Sequence, residues 1–88
     1  MANLNVSSLL SEDRDYLLHP LYHPDDHAKP HLWVKGKGAV LTDAEGREFI
    51  DGLACLWNVN VGHGRRELAD AAAEQMATLA YSTNYVGS

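Results

Sequence analysis

The sequence predicts a small α+β segment: a short N-terminal helix, a proline-rich arm, a β-hairpin and then a longer helix. Three observations carry this. Asp43-Ala44-Glu45-Gly46 is a turn signal between two runs of apolar and β-branched residues. Leu68, Ala72, Gln75, Met76 and Leu79 fall on one stripe at helical period, and the surrounding alanines raise helix propensity. All three prolines, Pro20, Pro24 and Pro30, crowd between His19 and His31, a density that no continuous helix tolerates.

Ser7 to Leu18 reads as the first helix, with Ser11 as a capping residue, Glu12 and Asp13 in a favourable first turn, and Tyr16 to Leu18 as its apolar end. Pro20 stops it. His19 to His31 is then an extended arm. Leu32-Trp33-Val34 is a short apolar run set off by Gly36 and Gly38, and Gly38 to Asp51 reads as a hairpin whose four-residue loop uses Gly46 for a left-handed conformation. Gly52 to Val61 is an irregular apolar stretch ended by Gly62-His63-Gly64. Arg66 to Leu79 is the last helix, and Tyr81 to Ser88 is open chain.

Eighty-eight residues, 45% hydrophobic and 22% charged, make at most one small soluble domain and exclude fibres and membrane bundles. A chain this short buries only about 60% of its unfolded surface, so its stability needs a staple or a partner. Cys55 is the sole cysteine; it permits no intrachain disulfide and no multi-thiolate metal site, and it suits a reducing, cytoplasmic setting. Seven basic against twelve acidic residues give a net charge of −5, which weakens attraction to nucleic acid and to anionic membranes. The N-terminus lacks the basic start and apolar core of a signal peptide.

His19, His23, His27 and His31 recur every four residues, a ligand spacing on a helix. The prolines remove that helix, so no metal site is expected. Gly62-His63-Gly64 begins like a dinucleotide fingerprint, but Glu67 stands where the third glycine belongs and would repel phosphate. It reads as a tight turn leading into the helix. Asp51, near a strand end, sits where a catalytic carboxylate could, but a lone carboxylate is usually one that accepts turn hydrogen bonds or faces solvent. Trp57 either plugs a core or walls a pocket, and Tyr81 and Tyr85 share the ambiguity. The stripe of the last helix has few partners in its own chain and wants something larger.

Gly38 to Asp43, then Glu45 to Gly52, resembles the opening of the class III aminotransferases, pyridoxal-phosphate enzymes of fold type I. The resemblance continues through Leu56-Trp57-Asn58-Val59-Asn60-Val61-Gly62-His63-Gly64, Glu67 to Ala72, and Gln75-Met76. It covers roughly His19 to Val86 and is closest to the omega-transaminases that use pyruvate as amino acceptor. It implies that residues 1–52 are the helix, arm and hairpin of a small domain, and that residues 53–88 cross to the start of a large α/β domain.

The resemblance also implies roles. Trp57 matches a wall of the substrate pocket, with Leu56 beside it. Leu21 matches a position where relatives often carry a pocket-lining aromatic. Tyr85 and Val86 match a segment near the interface of a homodimer with shared active sites. The lysine that binds pyridoxal phosphate, the acidic partner of its ring nitrogen and its phosphate cradle are expected beyond Ser88. Lys29, Lys35 and Lys37 match no cofactor lysine, and Gly87-Ser88 comes too early for the cradle, so this chain holds no catalytic or cofactor-binding residue. The implied reaction is transfer of an amino group from an amine or amino-acid donor to a keto acid such as pyruvate, and the 88-residue chain alone is expected to be inactive. The rival reading is a free-standing hairpin-plus-helix module that docks a partner protein through the apolar stripe.

Overall fold

A computed structural model of the chain describes residues 4–21, 23 and 30–87. Its elements, in order, are α1 (Val6–Tyr16), β1 (Trp33–Lys37), β2 (Val40–Asp43), β3 (Glu48–Ile50), α2 (Ala54–Trp57) and α3 (Arg66–Thr78). The α+β architecture expected from the sequence is observed, with a three-stranded antiparallel sheet in the order β1-β2-β3 where a hairpin was expected. Of the proline arm, residues 22 and 24–29, including His27 and Lys29, lie outside the described residues.

The first helix starts earlier than its sequence signals suggest. Asn5 is the cap, its side-chain oxygen accepting from the Ser8 backbone N–H at 3.1 Å, which satisfies one of the unpaired first-turn donors. Ser11 therefore sits in mid-helix, with its hydroxyl directed to Asp15. The helix ends at Tyr16 because Leu17 is already extended. His19 then folds back to donate to Asp13 at 2.8 Å, a contact that requires the chain to leave the helix axis.

The sheet gains its third strand because the Leu32-Trp33-Val34 run does not stand alone. Lys37 pairs with Val40 across a tight Gly38-Ala39 connection, and the register runs back through Gly36 with Leu41 to Trp33 with Asp43. On the other side Val40, Leu41 and Thr42 pair with Ile50, Phe49 and Glu48. Trp33 stacks on His31 with ring centres 5.0 Å apart, and Phe49 meets both rings edge-on at 5.3 Å and 5.2 Å, the arrangement that aromatic quadrupoles favour.

The β2–β3 loop is organised by Asp43, the one fully buried side chain among the described residues. Its Oδ1 accepts from the backbone N–H groups of Glu45 and Arg47 at 3.0 and 2.9 Å, and its Oδ2 accepts from the Arg47 guanidinium at 2.7 Å. Gly46, at φ 80°, supplies the left-handed residue that the turn requires. Burial works to raise the Asp43 pKa, but the Arg47 hydrogen bonds and charge, with the Glu45 N–H, outweigh it and hold it at about 2.

Among the described residues no apolar side chain is buried, and the three strands are the only elements that pack on one another. The radius of gyration is 16.8 Å, against about 12 Å for a compact chain of this length. The α3 stripe is solvent-facing, with Leu68, Met76 and Leu79 all exposed. No helix is long and apolar enough to cross a membrane among the described residues.

Candidate functional site

The segment after β3 departs most from ordinary backbone geometry. Ala54, Cys55, Leu56 and Trp57 have φ of 50°, 46°, 64° and 66°, so α2 is a single left-handed turn made without glycine. Each L-residue held there costs roughly 1–2 kcal/mol, and such strain persists only where neighbouring structure over-determines it.

Three sets of contacts do this. At the start of the turn, Asp51 Oδ1 accepts from the Cys55 N–H at 3.0 Å. At its end, Trp57 and Asn58 donate backbone N–H groups to the carbonyls of Leu53 and Ala54, both at 2.9 Å. The Asn58 side-chain amide donates to the carbonyls of Cys55 and Leu56 at 3.2 and 3.1 Å. The turn is thus closed at both ends by polar groups.

Asp51 is itself fixed. Its Oδ2 accepts from His63 Nε2 at 2.8 Å, and both side chains are largely shielded from solvent. His63 is tied to the sheet by a pair of backbone hydrogen bonds with Gly38, at 2.8 and 2.9 Å. Its side chain packs close against Gly36: a β-carbon there would stand 2.6 Å from His63 Cγ, so only glycine allows this approach. The hydrogen bonds from Cys55 N–H and then from His63 hold the Asp51 carboxyl at about 2. The same carboxylate, by hydrogen bond and charge, raises the Cys55 thiol above its ordinary range. Cys55 is therefore protonated at neutral pH and a poor nucleophile.

Asp51, Cys55 and His63 offer three metal-type donor atoms within 4.8 Å of one another. The 2.8 Å spacing between Asp51 and His63 is a hydrogen bond, shorter than the roughly 3.3 Å between ligands bound tetrahedrally at about 2 Å from zinc. The trio is a hydrogen-bonded clamp. Of the histidine series, His19 lies on Asp13 and His31 lies against Trp33 and 3.5 Å from Asp43, while His27 lies outside the described residues.

The turn displays Leu56 and Trp57 side by side, 62% and 74% exposed. Leu21 and Tyr85 are also exposed, and Leu21 too has a left-handed backbone at φ 54°. A cleft of about 360 Å³ lies between α1 and Leu32, lined by Leu9, Glu12, Asp13, Tyr16 and Leu17, and it holds none of these four. Sequence reasoning gave Asp51 no specific partner and missed the clamp. Its available signal was an aspartate at a strand end followed by a histidine within Gly-x-Gly.

The fold has close counterparts among solved structures. The sequence pattern of the family described as aminotransferase class-III matches residues 21–87, and the chain belongs to that family. It is similar to the (S)-enantioselective omega-transaminase of Thermomicrobium roseum, at 42% identity and a TM-score of 0.86 over 98% of this chain and 20% of that one. The taurine–pyruvate aminotransferase of Bilophila wadsworthia is 37% identical over 82 residues, 92% of this chain and 18% of its own. The diaminobutyrate–2-oxoglutarate transaminase of Halomonas elongata is 40% identical over 83 residues, 90% of this chain and 18% of its own. The chain therefore spans about a fifth of the length of the relatives that it matches.

Class III aminotransferases generally work with pyridoxal phosphate. The described residues do not fit that group by themselves. Lys35 and Lys37 project from exposed positions of β1, and the first turn of α3 carries Glu67, whose carboxylate repels a phosphate. These residues supply no step of cofactor chemistry.

Proposed function

We propose that residues 1–88 are the N-terminal portion of a pyridoxal-phosphate-dependent aminotransferase that moves an amino group from an amine or amino-acid donor to a keto acid such as pyruvate. The observation that carries this reading is the family match over residues 21–87 at about a fifth of the relatives' length. Pyruvate as acceptor is supported by relatives named for it, including the hypotaurine/taurine–pyruvate aminotransferase of Paracoccus denitrificans.

In this reading Trp57 and Leu56 wall the donor side of the substrate pocket. Leu21 reshapes a second wall, and Tyr85 approaches the neighbouring subunit of a homodimer. Residues 1–52 belong to the small domain, residues 53–88 begin the large one, and the enzyme is cytoplasmic. A relative of 27% identity and TM-score 0.77 supports the Trp57 role: it is an omega transaminase variant with a tryptophan-to-glycine change, engineered for synthesis of bulky amines. This chain has two tryptophans. Trp33 is engaged by His31 and Phe49, which leaves Trp57, displayed on a strained turn, as the better wall.

The exposed α3 stripe and the absence of a buried apolar side chain among the described residues favour a portion of a larger body over a free-standing module. Intact mass and activity of the protein as its source makes it test the reading. A mass several-fold above that of 88 residues, with pyruvate-dependent consumption of an amine, is expected. A mass equal to that of these 88 residues, with a cooperatively folded monomer, would overturn it.

A further inference from the structure

We propose that Asp51 is a positioning residue for donor selection: through His63 on one side and the Cys55 N–H on the other, it fixes the left-handed turn that presents Leu56 and Trp57. The inference rests on the reading of Trp57 as a pocket wall and adds to it the device that holds that wall.

The argument is one of connectivity. Four consecutive L-residues sit in the left-handed region, a conformation the chain leaves unless it is held. The holding group must be rigid, and Asp51 is. Its backbone N–H continues the ladder of β3 by donating to Ala39 at 2.8 Å. Its Oδ2 is locked on His63, which is bonded through both backbone groups to Gly38 and seated on Gly36. The remaining oxygen, Oδ1, takes the N–H of Cys55, the second residue of the turn. A path of hydrogen bonds thus runs from the sheet through one carboxylate into the turn. If the carboxylate is lost, the path from the sheet ends and the turn is held only by its own backbone bonds and the Asn58 amide, so the strained backbone of Leu56 and Trp57 shifts towards ordinary right-handed or extended conformations. The displaced tryptophan would no longer limit the size of the donor, whereas groups that hold the cofactor elsewhere would be untouched.

The test is a double-mutant cycle on the enzyme as its source makes it, reading kcat/KM for benzylamine against ethylamine with pyruvate as acceptor. Trp57→Ala is expected to move this ratio by roughly tenfold, the scale of a modest change in pocket fit. Asp51→Ala is expected to move it in the same direction, several-fold, and to move it no further once Trp57 is already alanine. Asp51→Asn keeps an acceptor for the Cys55 N–H and should recover part of the ratio. Gly36→Ala attacks the same clamp from the opposite side of His63, so it must shift the ratio the same way even if Asp51→Ala fails to fold. A ratio that responds to Trp57→Ala but not to Asp51→Ala or Gly36→Ala overturns the positioning role and leaves the pocket wall standing. Shifts that add in the double mutant overturn it as well. A ratio unmoved by Trp57→Ala sinks the pocket wall and the inference together.

Discussion

Two aspartates, eight positions apart, each hold the turn that follows them, and they do so on opposite backbone terms. Asp43 accepts the N–H groups of Glu45 and Arg47, and Asp51 accepts that of Cys55; both carboxyls are held at about 2. The Asp43 turn places its left-handed conformation on Gly46, whereas the Asp51 turn places it on Ala54, Cys55, Leu56 and Trp57. A loop that only reverses the chain has no reason to carry strain. A loop that carries it on four side-chain-bearing residues fits the presenting role proposed for Leu56 and Trp57, and in that reading the comparison sets a structural turn against a displaying one.

The comparison breaks most visibly if the structural turn is cut. Asp43→Ala leaves two loop N–H groups and the Arg47 guanidinium without their acceptor, and is expected to give the largest drop in thermal midpoint of any single substitution considered. It should exceed the drop from Asp51→Ala, which frees a strained segment as it removes its clamp. A smaller loss for Asp43→Ala would reverse the roles assigned to the two turns.

The backbone terms are tested by exchanging glycine and alanine. Gly46→Ala puts a β-carbon on a left-handed residue and should destabilise by about 1 kcal/mol in denaturant unfolding. Ala54→Gly should do the reverse and stabilise by up to about 1 kcal/mol, although the same change inside a right-handed helix destabilises. Losses at both positions would mean that α2 is not left-handed in solution.

Much of this contrast was legible in the sequence on one side only. The Asp43 turn announced itself because Gly46 marks a left-handed residue between two strand-like runs, and the hairpin and the last helix followed from local pattern. The third strand was visible as the Leu32-Trp33-Val34 run, but its pairing with β2 is a tertiary fact. The left-handed turn was illegible, since Ala-Cys-Leu-Trp carries no turn signal and its geometry is imposed by Asp51, Asn58 and His63 from outside. Asn5, the observed cap, is less legible than Ser11, which stands before an acidic pair that resembles a first turn. Asp51 and His63 each carry a local signal, but their joint action on the turn is a contact across twelve positions that local pattern does not announce.

Acid distinguishes the turns less strongly. Both aspartates fall from 3.8 to about 2 on folding, so each adds stability that is fully present above the unfolded value and is lost as pH drops from about 4 towards 2. Asp43→Asn and Asp51→Asn should each flatten that acid limb of a stability–pH curve, and an unchanged limb in both would contradict the carboxylate assignments. The smallest expected effect is at Cys55. Its raised thiol should react slowly with iodoacetamide at neutral pH and faster once Asp51→Asn removes the neighbouring charge, a rate difference read by mass spectrometry of the peptide.

The most direct test of the central claim compares two properties of Trp57→Ala in the enzyme as its source makes it: the preference between a bulky and a small amine donor, and retention of pyridoxal phosphate read from its absorbance. The account requires the donor preference to move towards bulky amines while the cofactor is retained as in the parent. An equal loss of both, or a preference that does not move, would contradict it.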